Sequence, residues 1–374
     1  MAAEAPSLPD LPEPGRPGDL HLRPAAFLTG GAARAAVAAG GALRLAGGPV
    51  AFAMVEVLVR GETQVARAWA RPDDIRGWAA ARGLAARAEA LLDALSAPRE
   101  GFAGFAPGRP LVMGVVNVTP DSFSDGGDFL DPAAAVAHGR ELLAAGADIL
   151  DVGGESTRPG AAPVSPEEEE ARVVPVVRGL AEAGAVVSVD TRHARVMRAA
   201  LAAGARIVND VSALEGDPGS LSAVAAAGCP VVLMHRQGDF RTMQDDPRYD
   251  DVVLDVADYL RGRVAACDAA GIAPAQMAVD PDIGFGKTVE HNLALLAHLT
   301  LLHGLGLPLA LGVSRKRFIG RLSRGEGAAG RLAGSLALGV EAWNQGTHIL
   351  RVHDVAETAQ ARALWASLRG LRQY

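Results

Sequence analysis

Lysine is almost missing from this chain. Lys287 and Lys316 are its only two, and arginine carries every other positive side-chain charge, so each lysine has to be accounted for. Cysteine is equally sparse: Cys229 and Cys267 allow at most one disulfide, which a chain of 374 residues does not need in order to fold. Both read as small buried residues in a reducing compartment. No apolar run reaches the roughly 18 residues that span a bilayer, because Glu56 interrupts the best stretch, 45–59. The opening residues lack the basic start and apolar centre of an export signal, and the expected location is cytoplasmic. Positive charge is not in excess either. A net charge of -7 excludes a broadly basic face for gripping phosphate backbones, and nucleic acid is not an expected partner. With 49% hydrophobic and 21% charged residues, a large core is available and disorder is excluded for most of the chain.

Residues 1–20 are rich in proline and acids without apolar periodicity, which reads as a flexible leader. Residues 21–100 hold an alanine-rich helical stretch at 79–95 and a strand at 50–59 but no catalytic motif; they read as a small accessory α/β module. The glycines and prolines of 101–110 suit neither helix nor strand and suggest a linker. From 111 to 374 the pattern becomes regular. Apolar runs at 111–118, 148–152, 186–190, 206–211, 231–235, 277–280, 309–313 and 348–352 alternate with helix candidates. These start near Pro132, Pro166, Ala194, Ser220, Tyr249, Thr288, Leu332 and Val355.

Continuously apolar strands separated by helices indicate parallel strands buried on both faces, and eight repeats match a (β/α)8 TIM barrel. An open doubly wound sheet is the alternative. The strand ends favour the barrel, because each run finishes in polar groups: Asn117, Asp151, Asp190, Asn209 with Asp210, His235, Asp280, Ser314 to Lys316, and Arg351 with His353. In a barrel these ends converge on one mouth, where this fold builds active sites.

Five segments carry chemistry. NVTPDSFSDGG, 117–127, is either a surface turn or a lid that brings Asp121 and Phe123 over a ligand, with Asn117 offering an amide oxygen to a metal or substrate. In DVGGESTRPG, 151–160, paired glycines permit close backbone approach, and Thr157 with Arg158 outlines an oxyanion site; alternatively Arg158 pairs with the glutamate run 167–170, itself a solvated helix start. Asp190, Asn209, Asp210 and Asp280 are polar groups on buried strands. Each needs a hydrogen-bonding partner, and a ring with adjacent N–H donors and acceptors, such as an aminopyrimidinone, supplies one. Asp210 is equally explicable as a main-chain anchor. In DPDIGFGK, 280–287, Phe285 is either a pocket wall or a rim anchor, and Lys287 is expected to be solvated. SRKRFIG and RVHD gather Ser314, Arg315, Lys316, Arg317, Arg351 and His353 into a cationic rim suited to a small polyanion such as a diphosphate. Arg351 and His353 point the same way along one strand. His353 also reads as a buried structural histidine, as does His235.

In these segments, together with VSVDT, IVNDVSAL, VVLMH and GRLAGSLA, the chain resembles the dihydropteroate synthase family from residue 111 to about 371. The resemblance implies a transferase of folate biosynthesis. It would join (7,8-dihydropterin-6-yl)methyl diphosphate to 4-aminobenzoate, act as a cytoplasmic homodimer and be a sulfonamide target. Carried over by motif, Asp190, Asn209, Asp280 and Lys316 would hold the pterin, with Phe285 and Ser314 lining the substrate pocket. Asn117 would ligate Mg2+ on the diphosphate, and Thr157, Arg158, Arg351 and His353 would bind the diphosphate and aminobenzoate side. Asp121, Arg158, Lys316 and His353 are the expected catalytic groups. The chain departs from the family at Arg317, commonly serine, at Asp282, usually glycine, and at Phe240, commonly proline. The first hundred residues lie outside the resemblance. A methyltetrahydrofolate-binding methyltransferase would have no diphosphate to hold, and SRKR with RVHD opposes that reading. A silent pterin-binding paralogue is opposed by Asn117, Arg158, Lys316 and His353.

Overall fold

The computed structural model describes residues 8–119, 131–155, 164–238 and 242–371. The amino-terminal part is built from β1 (Leu20–Leu28), α1 (Gly30–Ala38), β2 (Leu43–Arg44), β3 (Ala51–Arg60), β4 (Val65–Ala70), α2 (Pro72–Ala80) and α3 (Ala85–Ser96). β3 pairs antiparallel with β1 along one edge; on the other it pairs with β4 through Val55 to Arg60 and with β2 through Ala51 and Phe52. Leu22, Phe52, Val57, Ile75, Trp78 and Leu92 form its core, and Leu11, ahead of β1, packs into it. The expected strand at 50–59 is β3. The other strands were not foreseen, since β1 contains Pro24 and β4 reads VARAWA, compositions of low strand propensity. The helical stretch 79–95 is divided at Gly83, whose φ of +71° turns the chain between α2 and α3. Glu56, which interrupts the apolar run, is buried within β3 and held by Arg23 at 2.7 Å.

After the segment 101–110, strands and helices alternate: β5 (Leu111–Asn117), α4 (Pro132–Ala144), β6 (Ile149–Gly153), α5 (Pro166–Glu182), β7 (Val187–Asp190), α6 (Ala194–Ala202), β8 (Ile207–Asp210), α7 (Ser220–Ala227) and β9 (Val231–Met234). There follow α8 (Val252–Ala269), β10 (Met277–Asp280), α9 (Val289–Ala297), β11 (Ala310–Gly312), α10 (Arg317–Leu322), α11 (Leu332–Asn344), β12 (Ile349–Val352) and α12 (Val355–Leu368). The eight strands β5 to β12 form one parallel sheet in the order β10-β9-β8-β7-β6-β5-β12-β11. A parallel bridge between Val279 and Leu309 joins its two ends, with Val279 N–H donating to the Pro308 carbonyl at 3.0 Å. The fold is a (β/α)8 barrel, as the strand pattern indicated. Pro132 and Pro166 occupy first turns behind the capping residues Asp131 and Ser165, where no amide hydrogen is missed.

Met113, Ile149, Ile207, Val232, Ala278 and Ile349 fill the barrel, and Phe102 and Phe105 of the 101–110 segment pack beneath them at its amino-terminal end. The first part of the chain is fastened to the barrel by polar contacts. Arg60 pairs with Asp255 at 2.8 Å, Arg67 with Asp251 at 2.9 Å, and Thr300 donates to the Pro24 carbonyl at 3.2 Å. Among the described residues no helix is long and apolar enough to cross a membrane.

Candidate active site at the barrel mouth

Parallel register sets Asn117 beside Gly153, Gly153 beside Asp190, and Asp190 beside Asn209. Three polar side chains therefore stand at one height on β5, β7 and β8. Glycine between them matters, because a Cβ at position 153 would lie 3.5 Å from that of Asp190 and narrow the opening.

Arg351, near the end of β12, spans this ring. Its Nε donates to Asp151 Oδ2 at 2.6 Å and its Nη2 to Asp190 Oδ2 at 2.7 Å, while Asn209 Nδ2 donates to the same Asp151 oxygen at 3.1 Å. Asp151 Oδ1 and Asn209 Oδ1 are buried without a partner among the described residues. Burial pushes the Asp190 carboxyl up to about 7, outweighing Arg351, and the neighbouring charge of Asp151 pushes the same way. Burial acts against the charge of Arg351, yet Asp151 and Asp190 more than offset it and keep the guanidinium firmly protonated. Asp151 was seen in the sequence only as one strand end among eight; in the structure it organises both Arg351 and Asn209.

A second group follows β10. Asp280 accepts from the Asp282 amide at 2.7 Å, and burial together with the charge of Asp282 raises its pKa to about 7. Asp282 has a φ of +50°, the left-handed region that favours glycine and that aspartate tolerates better than most residues. Its Oδ2 is buried and unpartnered among the described residues, and Oδ1 lies 3.9 Å from Lys316 Nζ. Lys316 Nζ sits 4.5 Å above the Phe285 ring, a cation held against an aromatic face at the pocket wall.

Lys287, which the sequence led us to expect in solvent, is instead enclosed. It is buried and donates to the carbonyls of His235, Asp282 and Phe285 at 3.2, 3.0 and 2.9 Å, with His235 Nδ1 also 3.0 Å from its nitrogen. Burial lowers its pKa to about 7 and that of His235 to about 2, so His235 is neutral and helps fix the 280–287 loop. Asn292 completes the fixing by accepting from the Gly284 amide at 2.7 Å. Asp210 has the anchoring role: its carboxylate accepts from the Ser212 amide and hydroxyl, both at 2.7 Å, and from the Leu214 amide at 3.0 Å.

The expected cationic rim is smaller than its sequence. Arg315 is spent on Asp354, its Nε at 3.0 Å. His353 lies against Ser314, Nδ1 to Oγ 3.1 Å, and burial reinforced by Arg351 and Arg315 lowers its pKa to about 4, leaving a neutral imidazole rather than a cation. Arg317, in the first turn of α10, is exposed. Glu169 corrects the solvated-helix reading of 167–170, since it is buried and pairs with His193 at 2.7 Å. Asp121, Phe123, Thr157, Arg158 and Phe240 lie outside the described residues.

Among the described residues no three His, Cys, Asp or Glu side chains gather as a metal site. Asn117, which register sets level with Asp190 at the end of β5, would offer Mg2+ a neutral amide oxygen, a donor that hard cation accepts.

Residues 113–353 match the family described as "Pterin binding enzyme". The dihydropteroate synthase of Escherichia coli (strain K12) is 52% identical over 254 residues, 68% of this chain and 89% of that protein. The structure of Xanthomonas albilineans dihydropteroate synthase with 4-aminobenzoic acid superposes with a TM-score of 0.67 at 51% identity, covering 71% of this chain and 94% of that one. The same enzyme in complex with 7,8-dihydropteroate gives 0.64 at 48% identity, covering 71% and 95%. With that agreement over the whole barrel, the chain belongs to the dihydropteroate synthase family of pterin-binding enzymes.

Proposed function

We propose that this chain is a dihydropteroate synthase, a transferase that condenses (7,8-dihydropterin-6-yl)methyl diphosphate with 4-aminobenzoate to give 7,8-dihydropteroate and diphosphate. The observation that carries the reading is the barrel mouth itself. Asp190, Asn209 and Asp280, with Lys316 over Phe285, present carboxylate, amide and ammonium groups of the kind a flat aminopyrimidinone ring pairs with. The relatives' ligands, 4-aminobenzoic acid and 7,8-dihydropteroate, are the second substrate and the product of this condensation.

Ionised Asp190 and Asp280 accept the N–H edge of the pterin, Asn209 adds its amide, and Lys316 donates to a ring acceptor. Phe285 and Ser314 complete the wall. Arg351, already bracketed by Asp151 and Asp190, and the neutral His353 donate to the diphosphate and to the aminobenzoate side, joined by Thr157 and Arg158. Mg2+ at Asn117 would neutralise charge on the departing oxygens. The methylene C–O bond breaks first, its electron pair leaving with the diphosphate. The amine nitrogen then forms the C–N bond and loses a proton to solvent. Asp121 stabilises the pterin-methyl cation between these events. We place the enzyme in the cytoplasm as a homodimer, with residues 21–100 an accessory module, 101–110 a linker and 111–374 the catalytic barrel; the expected flexible leader does not hold for its described part, since Leu11 packs into the core of that module and Leu20 opens β1.

Purified protein with the pterin diphosphate, labelled 4-aminobenzoate and Mg2+ should release diphosphate and form labelled dihydropteroate. Release without 4-aminobenzoate would mark a hydrolase, and no release would defeat the proposal. For Asp121, an Asp121→Asn variant with unchanged turnover and normal substrate binding would remove its assigned role.

A further inference from the structure

At the opposite end of the barrel from the mouth lies a cavity of about 250 Å³. Its walls come from three sources: Val50 and its neighbours in the amino-terminal part, Phe102 and Phe105 of the 101–110 segment, and Trp343 and Trp365 from barrel helices. Most of this lining precedes residue 113, where the match to the pterin-binding family begins.

The walls are apolar and aromatic, and the polar side chains among them include Arg99, Thr347, His348, the indole N–H groups of Trp343 and Trp365, and Arg109, which pairs with Asp148 at 2.6 Å. Arg99 is buried, and its guanidinium donates to the carbonyls of Ala94, Ala97, His303 and Leu307 at 2.6 to 3.2 Å. Four of its five N–H groups are used this way, and no carboxylate among the described residues balances the charge; burial lowers its pKa to about 10. His348 Nδ1 accepts from the Leu309 amide at 3.1 Å, so its proton resides on Nε2. Trp343 Nε1 and Thr347 Oγ1 are buried without partners among the described residues. The one acidic residue of the lining, Glu100, is exposed. A buried cation beside neutral donors and aromatic walls lacks an anion that can also bury rings.

We infer that this cavity is a second small-molecule site, distinct from the barrel mouth, for an aromatic monocarboxylate of one or two rings. The carboxylate would take up the positive field of Arg99 and the donors near it, and the rings would lie against Trp343, Trp365 and Phe105. Carbonyls alone hold Arg99 in place, but they leave its net charge uncompensated, and that charge selects an acid over a neutral ring.

The probe is 2-naphthoate, titrated by calorimetry into the full chain saturated with 7,8-dihydropteroate so that the mouth is filled. Saturable one-to-one binding is expected, with 2-naphthylmethanol weaker by about tenfold or more. Arg99→Gln should weaken 2-naphthoate to a similar degree, and Ala106→Trp, at an exposed position of the lining, should block it while circular dichroism shows an unchanged fold. Absence of saturable binding, equal affinity for acid and alcohol, or binding untouched by Ala106→Trp would each overturn the inference.

Discussion

The two ends of the barrel are built from opposite materials. At the mouth, Asp151, Asp190, Asp280 and Asp282 are all buried or nearly so, two of them with pKa values lifted to about 7, around Arg351 and Lys316. At the floor, Phe102, Leu111, Met113 and Ile349 close the interior with carbon. The same strands serve both ends. Along β12, Ile349 lies in the core while Arg351, two residues on and on the same face, holds two carboxylates at 2.6 and 2.7 Å. The floor stores stability, and the mouth spends some of it on groups that only a ligand satisfies.

The sharpest way to break that contrast is to neutralise the mouth. Asp280→Asn should cut kcat/KM by about a thousandfold, because the buried acceptor for the pterin edge becomes a neutral amide. It should also raise Tm at pH 8, since an ionised carboxyl with a raised pKa is a liability to the folded state. Turnover and calorimetric melting on the same preparation check both. If activity fell and stability fell with it, Asp280 would be part of the scaffold and the contrast would fail.

Phe102→Ala is the counterpart at the floor. Removing a buried ring should destabilise the fold by about 3 kcal/mol or more, read as a lower denaturation midpoint. The KM values should stay within about twofold, because the ring touches nothing at the mouth. A large change in KM with little loss of stability would show that the two ends are not separable.

Much of this arrangement is legible in the sequence because strand periodicity dictates it. The eight apolar runs give the barrel, and the polar residue closing each run gives the mouth, since parallel register leaves those groups at one level. Asp190, Asn209, Asp280 and Arg351 stand where the strand ends put them, while Lys316 comes after the end of β11, immediately before α10. What is not legible is the partner of each charge. Nothing local says that Arg315 pairs with Asp354, that Lys287 turns inward onto three carbonyls, or that His353 is held neutral by burial beside Arg351 and Arg315. Those depend on contacts between loops that are distant in sequence. Of the amino-terminal strands β3 is legible, while β1 and β4 escaped for a different reason, since Pro24 stands inside β1 and β4 is rich in alanine, residues that strands are poor in.

The pH dependence of pterin binding refines the account of the mouth. Asp190 and Asp280 can accept N–H groups on both oxygens only when ionised, and burial raises both to about 7. Affinity for a pterin should therefore rise with pH from 6 to about 7.5 and then level, changing by roughly tenfold per unit for each proton displaced. Stability of the unliganded protein should run the other way. Carboxyls with raised folded-state pKa values favour the fold while protonated, and that contribution drains as pH climbs from about 4 to about 7. Calorimetry and melting over one pH series test both slopes, and an affinity flat across the range would mean that the ring is held by groups other than these two acids.

The smallest expected effect concerns Arg317, which stands where the family commonly has serine. Its side chain is exposed at the start of α10, one residue from Lys316, at the rim rather than within the ring of buried acids. A solvated guanidinium attracts the 4-aminobenzoate carboxylate only weakly, because water screens an exposed ion pair. Arg317→Ser should accordingly shift the KM for 4-aminobenzoate by about threefold and leave kcat and pterin affinity unchanged. Repeating the KM measurement at raised salt separates two causes. If charge attraction sets the shift, the difference between the parent enzyme and the Arg317→Ser variant shrinks as salt rises, whereas a difference that survives would mean that the introduced hydroxyl makes a directed contact the arginine cannot replace.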